Sequence, residues 1–191
     1  MTDVTLAILA GGAGSRMGMP KAELRIGGRP ILEHLLDRVA WDGPRILVTA
    51  PGRERPTGHE LFDREVIDPV AGQGPLRGVL TALEHAATDV VVVATVDMPG
   101  VGNAQLRWLV EALWRRPDLL GVMARRGEDV EPFPCAVRRV AQAVIARELA
   151  EKRLSVRRLC ERSGFLTLHA PDEWGEEVWR NLNFPDDLAG L

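Results

Sequence analysis

Cysteine is nearly absent: the chain of 191 residues holds only Cys135 and Cys160. Two cysteines cannot build a disulfide framework, and without CxxC spacing they do not make a structural zinc site. They read as buried apolar thiols. No apolar run approaches the roughly 20 residues that a membrane span requires. Met1-Thr2-Asp3 has no basic n-region, so no signal peptide is expected and a reducing cytoplasm is the expected location. An excess of charge is lacking too: 24 basic and 27 acidic residues leave a net charge of −3. That balance argues against a protein that coats nucleic acid, yet leaves room for a local basic cluster facing a phosphorylated ligand. The histidines at 34, 59, 85 and 169 have no metal-ligand spacing and receive no chemistry. What remains is 46% hydrophobic and 27% charged, an ordinary globular composition. The length suits one domain. With no internal repeat or low-complexity linker, residues 1–191 read as a single domain.

Strands and helices alternate along the pattern. Val4 to Leu9 is an apolar strand that runs into Ala10-Gly11-Gly12-Ala13-Gly14. Ala22 to Ile26 reads as a short strand turned by Gly27-Gly28. Pro30 opens a helix with Ile31, Leu32, Leu35, Leu36 and Val39 on one face. Ile46 to Thr49 is a second main strand, Pro51 to Asp63 is irregular, and Glu65 to Ile67 is a third strand. A helix from about Leu76 to Ala87 precedes Val90-Val91-Val92-Val93-Ala94, the continuous β-branched run of a strand buried on both faces. It stops at Asp97-Met98-Pro99. Then come a helix over 103–115, a strand over 119–124, a proline-rich segment Glu131-Pro132-Phe133-Pro134, helices near 140–150 and 155–161, and a strand over 165–168. The order predicts an α/β fold, a Rossmann-like three-layer αβα sandwich with a mostly parallel central sheet.

The glycine loop is the main chemical signal. Leu9-Ala10-Gly11-Gly12-Ala13-Gly14-Ser15-Arg16-Met17-Gly18-Met19-Pro20-Lys21 fails the dinucleotide fingerprint, because Met17 stands where glycine is needed. It also lacks the Gly-Lys-Ser/Thr ending of a P-loop. Four glycines still let backbone N–H groups approach an anion closely. Arg16 adds a forked donor and Lys21 a point charge, the two kinds of donor that a triphosphate needs. The alternative is a βα turn with two solvated cations. Ser15 has no neighbouring histidine and no nucleophile elbow, so it reads as a turn hydroxyl.

Leu9-Ala-Gly-Gly-x-x-x-Arg16-Met17-Gly18-x-x-Lys21 resembles the signature of the nucleotidyltransferases that activate molybdopterin, and most nearly the molybdenum cofactor guanylyltransferase (MobA-like) family. Gly74-Pro75-Leu76-Arg77-Gly78, Val96-Asp97-Met98-Pro99, Glu131-Pro132-Phe133-Pro134 and Asn181-Leu182-Asn183-Phe184-Pro185-Asp186-Asp187-Leu188 follow in the family's order. The likeness runs from about Leu6 to Leu188. It implies Mg²⁺-dependent transfer of GMP from GTP to the terminal phosphate of molybdopterin, with release of pyrophosphate. It also implies a nucleotide-binding half over about 1–100 and an acceptor-binding half over about 101–191. Hand-over between proteins during cofactor delivery is an expectation of the same kind.

Roles follow position by position. Asp97 ends the buried strand, where ligands of open α/β sheets bind. There it reads as the Mg²⁺ ligand or, without a ligand, as a turn aspartate before Pro99. Arg16, Lys21 and Asp97 form the catalytic set. Leu9, Ala10, Gly11 and Gly12 line base and ribose, and the resemblance links Gly11 to guanine, since related cytidylyltransferases tend to carry alanine there. Thr49 and Asp68 match family positions that contact the nucleotide, although the family often has asparagine where Thr49 stands. Asp68 is a candidate acceptor for guanine N–H groups or the ribose, and Gly74 sits at a helix start facing an anion. Asn181 and Asn183 are acceptor contacts or helix caps. Arg138, Arg139, Lys152, Arg153, Arg157 and Arg158 attract the pterin phosphate or form a solvated face. Cytidylyl transfer, another phosphorylated acceptor, or a non-catalytic nucleotide-binding regulator are the competing readings.

Overall fold

The computed structural model describes residues 1–12 and 18–188. Its elements are β1 (Val4–Leu9), β2 (Arg25–Ile26), β3 (Arg29–Pro30), α1 (Ile31–Val39), β4 (Arg45–Thr49), β5 (Arg64–Ile67), α2 (Gly74–His85), β6 (Val90–Thr95), α3 (Asn103–Trp114), β7 (Gly121–Arg126), β8 (Asp129–Arg138), α4 (Gln142–Ala150), β9 (Phe165–His169) and α5 (Glu176–Trp179). Seven strands form one sheet in the order β5-β4-β1-β6-β8-β7-β9. The pairs β1/β4, β1/β6, β4/β5 and β7/β9 are parallel. The long strand β8 is antiparallel to both β6 and β7. The expected α/β architecture with a mostly parallel sheet is therefore what the chain forms.

Central strands are buried on both faces. Val90, Val91, Val92 and Val93 are each at most 3% exposed. Burying a valine side chain contributes roughly 1.5 kcal/mol or more, and branching at Cβ suits the pleat. α1 buries Ile31, Leu32, Leu35, Leu36 and Val39, the face that the 3.6-residue period predicts. Pro30 lies just outside it as the N-cap, and not as the first helical residue. Cys135 is buried in β8, which pushes its thiol up to about 12, and Cys160 is half-buried.

Four expectations need correction. Residues 22–26 do not form one strand. Lys21–Glu23 is a 3-10 turn, and only Arg25–Ile26 pairs, antiparallel, with Arg29–Pro30. The strand expected over 119–124 spans Gly121–Arg126. The helix near 155–161 is 3-10 over Val156–Glu161. The proline-rich segment lies inside β8. Register there jumps, with Met123 opposite Cys135 and the next residue, Ala124, opposite Glu131. Pro132, Phe133 and Pro134 are thus left out of the β7 ladder. Proline has no N–H to donate, and a bulge is where a sheet tolerates it.

Candidate active site

The first four parallel strands end on one side of the sheet, and the chain leaving each of them bends into a cleft of about 790 Å³. Gly11 and Gly12 follow β1, Ala50 and Pro51 follow β4, Asp68 follows β5, and Val96 and Asp97 follow β6. A parallel sheet with helices over both faces leaves its ligand site there, beyond the carboxyl ends. Gly74 and Pro75 bring the N-terminus of α2 to the cleft wall. Its unsatisfied N–H groups and positive dipole end favour an anion. Asn181 and Asn183 close the other side.

Lys21 joins the walls. Its Nζ donates to Asp97 Oδ2 at 2.7 Å and to Asn183 Oδ1 at 2.9 Å. The two charged side chains are 15% and 21% exposed, so the attraction is less screened than at an open surface. The C-terminal segment is tied to the same spot by backbone, with Leu182 N donating to Asp97 O at 2.8 Å. Asp187 Oδ2 accepts from the N–H groups of Asn183 and Phe184 at 2.7 and 2.8 Å, and these bonds hold its carboxyl below the usual range. Asn181 Nδ2 donates to Trp179 O at 3.2 Å. A Cβ on Gly100 would fall on the Glu177 carbonyl, so the loop after Asp97 packs directly on α5 backbone. Trp174 packs edge-on against Trp108 and at a tilt against Trp179, with ring centroids 5.1 and 5.7 Å away, and so ties down the base of that segment.

At the opposite end, Asp68 N donates to Thr49 O at 2.8 Å, which holds the aspartate at the tip of β5. Its Oδ1 is buried and has no hydrogen-bond partner among the described residues. Burial pushes its carboxyl pKa up, against the Thr81 hydroxyl and the Arg77 charge, which lower it. A buried carboxylate oxygen without a donor is costly to the fold.

Of the residues singled out in the sequence, Leu9, Gly11, Gly12, Lys21, Asp68, Gly74, Asp97, Asn181 and Asn183 all line this one cleft. Thr49 and Ala10 are not among its lining residues. Thr49 is buried and its Oγ1 donates to Glu65 Oε1 at 3.3 Å, while Ala10 N donates to Val48 O at 2.8 Å. Both hold strand ends in place. Arg16 lies outside the described residues. Sequence reasoning passed over Arg53, Thr95, Pro132 and Phe133, which also face the cleft. Nothing in the irregular stretch 51–63 marks Arg53, but prolines in a strand are a readable sign of the bulge that carries Pro132 and Phe133.

A divalent metal fits the residues present. Among the described residues no three His, Cys, Asp or Glu side chains cluster. Mg²⁺ does not need such a cage, since one or two carboxylates plus phosphate oxygens and water satisfy it. Asp97, on a rigid strand end with its Oδ2 already facing a cation, is the carboxylate placed to hold it.

Comparison with known proteins agrees with the geometry. A molybdenum cofactor guanylyltransferase of Cereibacter sphaeroides is 35% identical over 187 residues, which cover 95% of this chain and 92% of that protein. The crystal structure of molybdopterin-guanine dinucleotide biosynthesis protein A from Archaeoglobus fulgidus superposes with a TM-score of 0.78 at 23% identity, covering 96% of this chain and 94% of that one. A Mycobacterium tuberculosis protein solved in complex with manganese has a TM-score of 0.61 at 22% identity, covering 88% of each chain. The family model of the MobA-like NTP transferase domain matches residues 6–166. The chain belongs to the MobA-like NTP transferase domain family.

Proposed function

We propose that this protein transfers GMP from GTP to the terminal phosphate of molybdopterin and releases pyrophosphate, in the presence of Mg²⁺. The observation that carries the reading is the Lys21–Asp97–Asn183 junction, which joins a cation, an anion and an amide at the end of the central strand. In the reaction a phosphate oxygen of the acceptor attacks the α-phosphorus of GTP. The bond from that phosphorus to the bridging oxygen breaks, and the electron pair leaves with pyrophosphate. Such transfer asks the protein for alignment and charge neutralisation, and for no covalent intermediate.

The side chains divide that work. Asp97 would hold Mg²⁺, which would supply Lewis-acid stabilisation of the phosphate oxygens when bound. Lys21 neutralises charge on the triphosphate and on the departing pyrophosphate. Arg16 adds a forked donor from the glycine loop. The α2 N-terminus at Gly74 supplies backbone donors. Asp68, on the cleft wall, offers its carboxylate to the N1–H and N2–H groups of guanine. A Cβ at Gly11 would meet Ala50 Cβ at 3.3 Å, so a larger residue there narrows the nucleotide wall. Asn181 and Asn183 present amides to the acceptor, and on this reading about 1–100 serves the nucleotide and about 101–191 the pterin. A cytoplasmic location and delivery of the pterin by protein contact belong to the same reading. Among the described residues no helix is long and apolar enough to cross a membrane.

The test is a nucleotide screen. The protein, molybdopterin and Mg²⁺ are incubated with each nucleoside triphosphate, and pyrophosphate is measured. Release with GTP is expected, and release confined to CTP would overturn the guanylyl reading.

A further inference from the structure

Arg53 faces the cleft without a hydrogen bond or ion pair to any described residue, although its neighbour in the same stretch, Arg55, pairs with Glu65 at 3.0 Å. Its place follows from the sheet. β4 and β5 are parallel neighbours with Thr49 opposite Ile67, so the chain leaving β4 and the chain leaving β5 emerge side by side. The first carries Arg53 four residues beyond Thr49, and the second carries Asp68 one residue beyond Ile67. A turn at Pro51-Gly52 redirects the chain just before Arg53, with Gly52 at φ 72°, a left-handed conformation that glycine adopts without strain. Ala50, Pro51, Val70 and Ala71 line the same cleft and supply apolar surface suited to a flat ring. The cleft therefore carries an acceptor, Asp68, and a forked donor, Arg53, on the segments leaving the neighbouring strands β5 and β4, with β1 between β4 and the strand β6 that Asp97 follows.

We propose that Arg53 is a specificity-determining residue that donates to the O6 and N7 atoms of guanine, while Asp68 takes the N1–H and N2–H groups of the adjoining edge. The inference rests on the guanylyl reading above and adds to it the residue that reads the second edge. Guanine pairs two acceptors, N7 and O6, with two donors, N1–H and N2–H. A planar guanidinium matches the first pair bidentately, and a carboxylate matches the second. Cytosine has no N7 and presents an amine in place of O6, so it cannot satisfy the arginine. Adenine presents an amine beside its N7 and meets the same donor with a donor. The aspartate reads only the edge that carries N1–H and N2–H. The arginine adds the second edge, N7 and O6, so that the two together read both sides of guanine.

Equilibrium titration of the full chain in Mg²⁺ tests this without involving the acceptor substrate. The probes are GTP, 7-deaza-GTP, which lacks only N7, and CTP. Wild type is expected to bind GTP about tenfold or more tighter than 7-deaza-GTP, the discrimination a bidentate base contact supplies. Arg53→Ala should bind the two equally, with its loss confined to GTP. Arg53→Lys, a point charge without a fork, should recover only part of the difference. If wild type does not distinguish GTP from 7-deaza-GTP, or Arg53→Ala still does, the assignment is overturned. If Arg53→Ala weakens GTP and CTP by the same factor, Arg53 contacts phosphate and the assignment is again overturned. Wild type that binds CTP but not GTP overturns the guanylyl reading itself, a distinct result.

Discussion

Lys21 and Asp97 are neutralised by each other at 2.7 Å, so neither charge is stranded in the half-buried cleft. A metal-bound triphosphate offers each a stronger partner of opposite sign: phosphate oxygens for the ammonium and a divalent cation for the carboxylate. The pair thus stores the charges needed for the reaction at little cost to the fold. Lys21→Ala should lower kcat by about 10²-fold, in line with removal of one charge-stabilising donor, and steady-state pyrophosphate release measures it. Gly11 is constrained by shape. An alanine there meets Ala50 at 3.3 Å, so Gly11→Ala should raise KM for GTP several-fold and cost about 1 kcal/mol of stability or less, checked by kinetics and urea unfolding. Lys21, Asp97 and the glycines were legible because charge and backbone freedom at a strand end have few other uses. Thr49 is less legible: a hydroxyl at a strand tip can also serve the sheet, and here it donates to Glu65. Arg53 carries no local signal, since only the folding of β4 beside β5 brings both it and Asp68 to the cleft.

Among the elements, the C-terminal segment is the part whose position depends on the rest of the site. Gly100 admits the α5 backbone, Leu182 N reaches Asp97 O, and Trp174 packs between Trp108 and Trp179. Displacing this segment should move Asn181 and Asn183 and leave Asp68, Gly11 and the α2 N-terminus in place. Trp174→Ala is therefore expected to lower kcat/KM for the acceptor by roughly tenfold, the price of slight misplacement. The Kd for GTP should stay near the wild-type value, and a matching loss of nucleotide affinity would contradict this division. The valine run of β6 was readable because a strand buried on both faces needs no alternation. β8 was not, because Pro132 and Pro134 resemble strand breakers in one dimension. Their tolerance depends on the register jump opposite Met123 and Ala124, which only pairing reveals. The 3-10 turn at Lys21–Glu23 was equally hidden, since Ala22 and Leu24 are buried there as they would be in a strand.

For the whole molecule, the charge balance near zero conceals a buried ionic cluster. Glu148, 4% exposed on α4, accepts from Arg153 at 2.8 Å and from Arg162 at 3.1 Å. The hydrogen bonds from Arg153 and then Arg162, with their charges, hold its carboxyl down to about 2, against the desolvation that raises it. Because the folded value lies below the unfolded reference of 4.5, the cluster stabilises fully above that pH. The contribution is lost as pH falls from 4.5 toward 2. Glu148→Gln should lose roughly 2 kcal/mol at pH 7, the worth of hydrogen bonds to a charged group. Its urea midpoint should vary less between pH 7 and pH 3 than that of wild type. The layered architecture that this cluster helps to fasten was legible from the alternation of elements. The cluster was not, because Arg153 and Arg162 meet Glu148 only after the chain has folded back from α4. The same folding back brings Lys21 to Asp97 and Asn183 from 76 and 162 residues away. The most direct measurement is pyrophosphate release by Asp97→Asn, with GTP and molybdopterin, across a Mg²⁺ titration. The expected result is loss of Mg²⁺-dependent turnover in a protein with an unchanged circular dichroism spectrum; turnover equal to wild type would show that this carboxylate does not hold the metal.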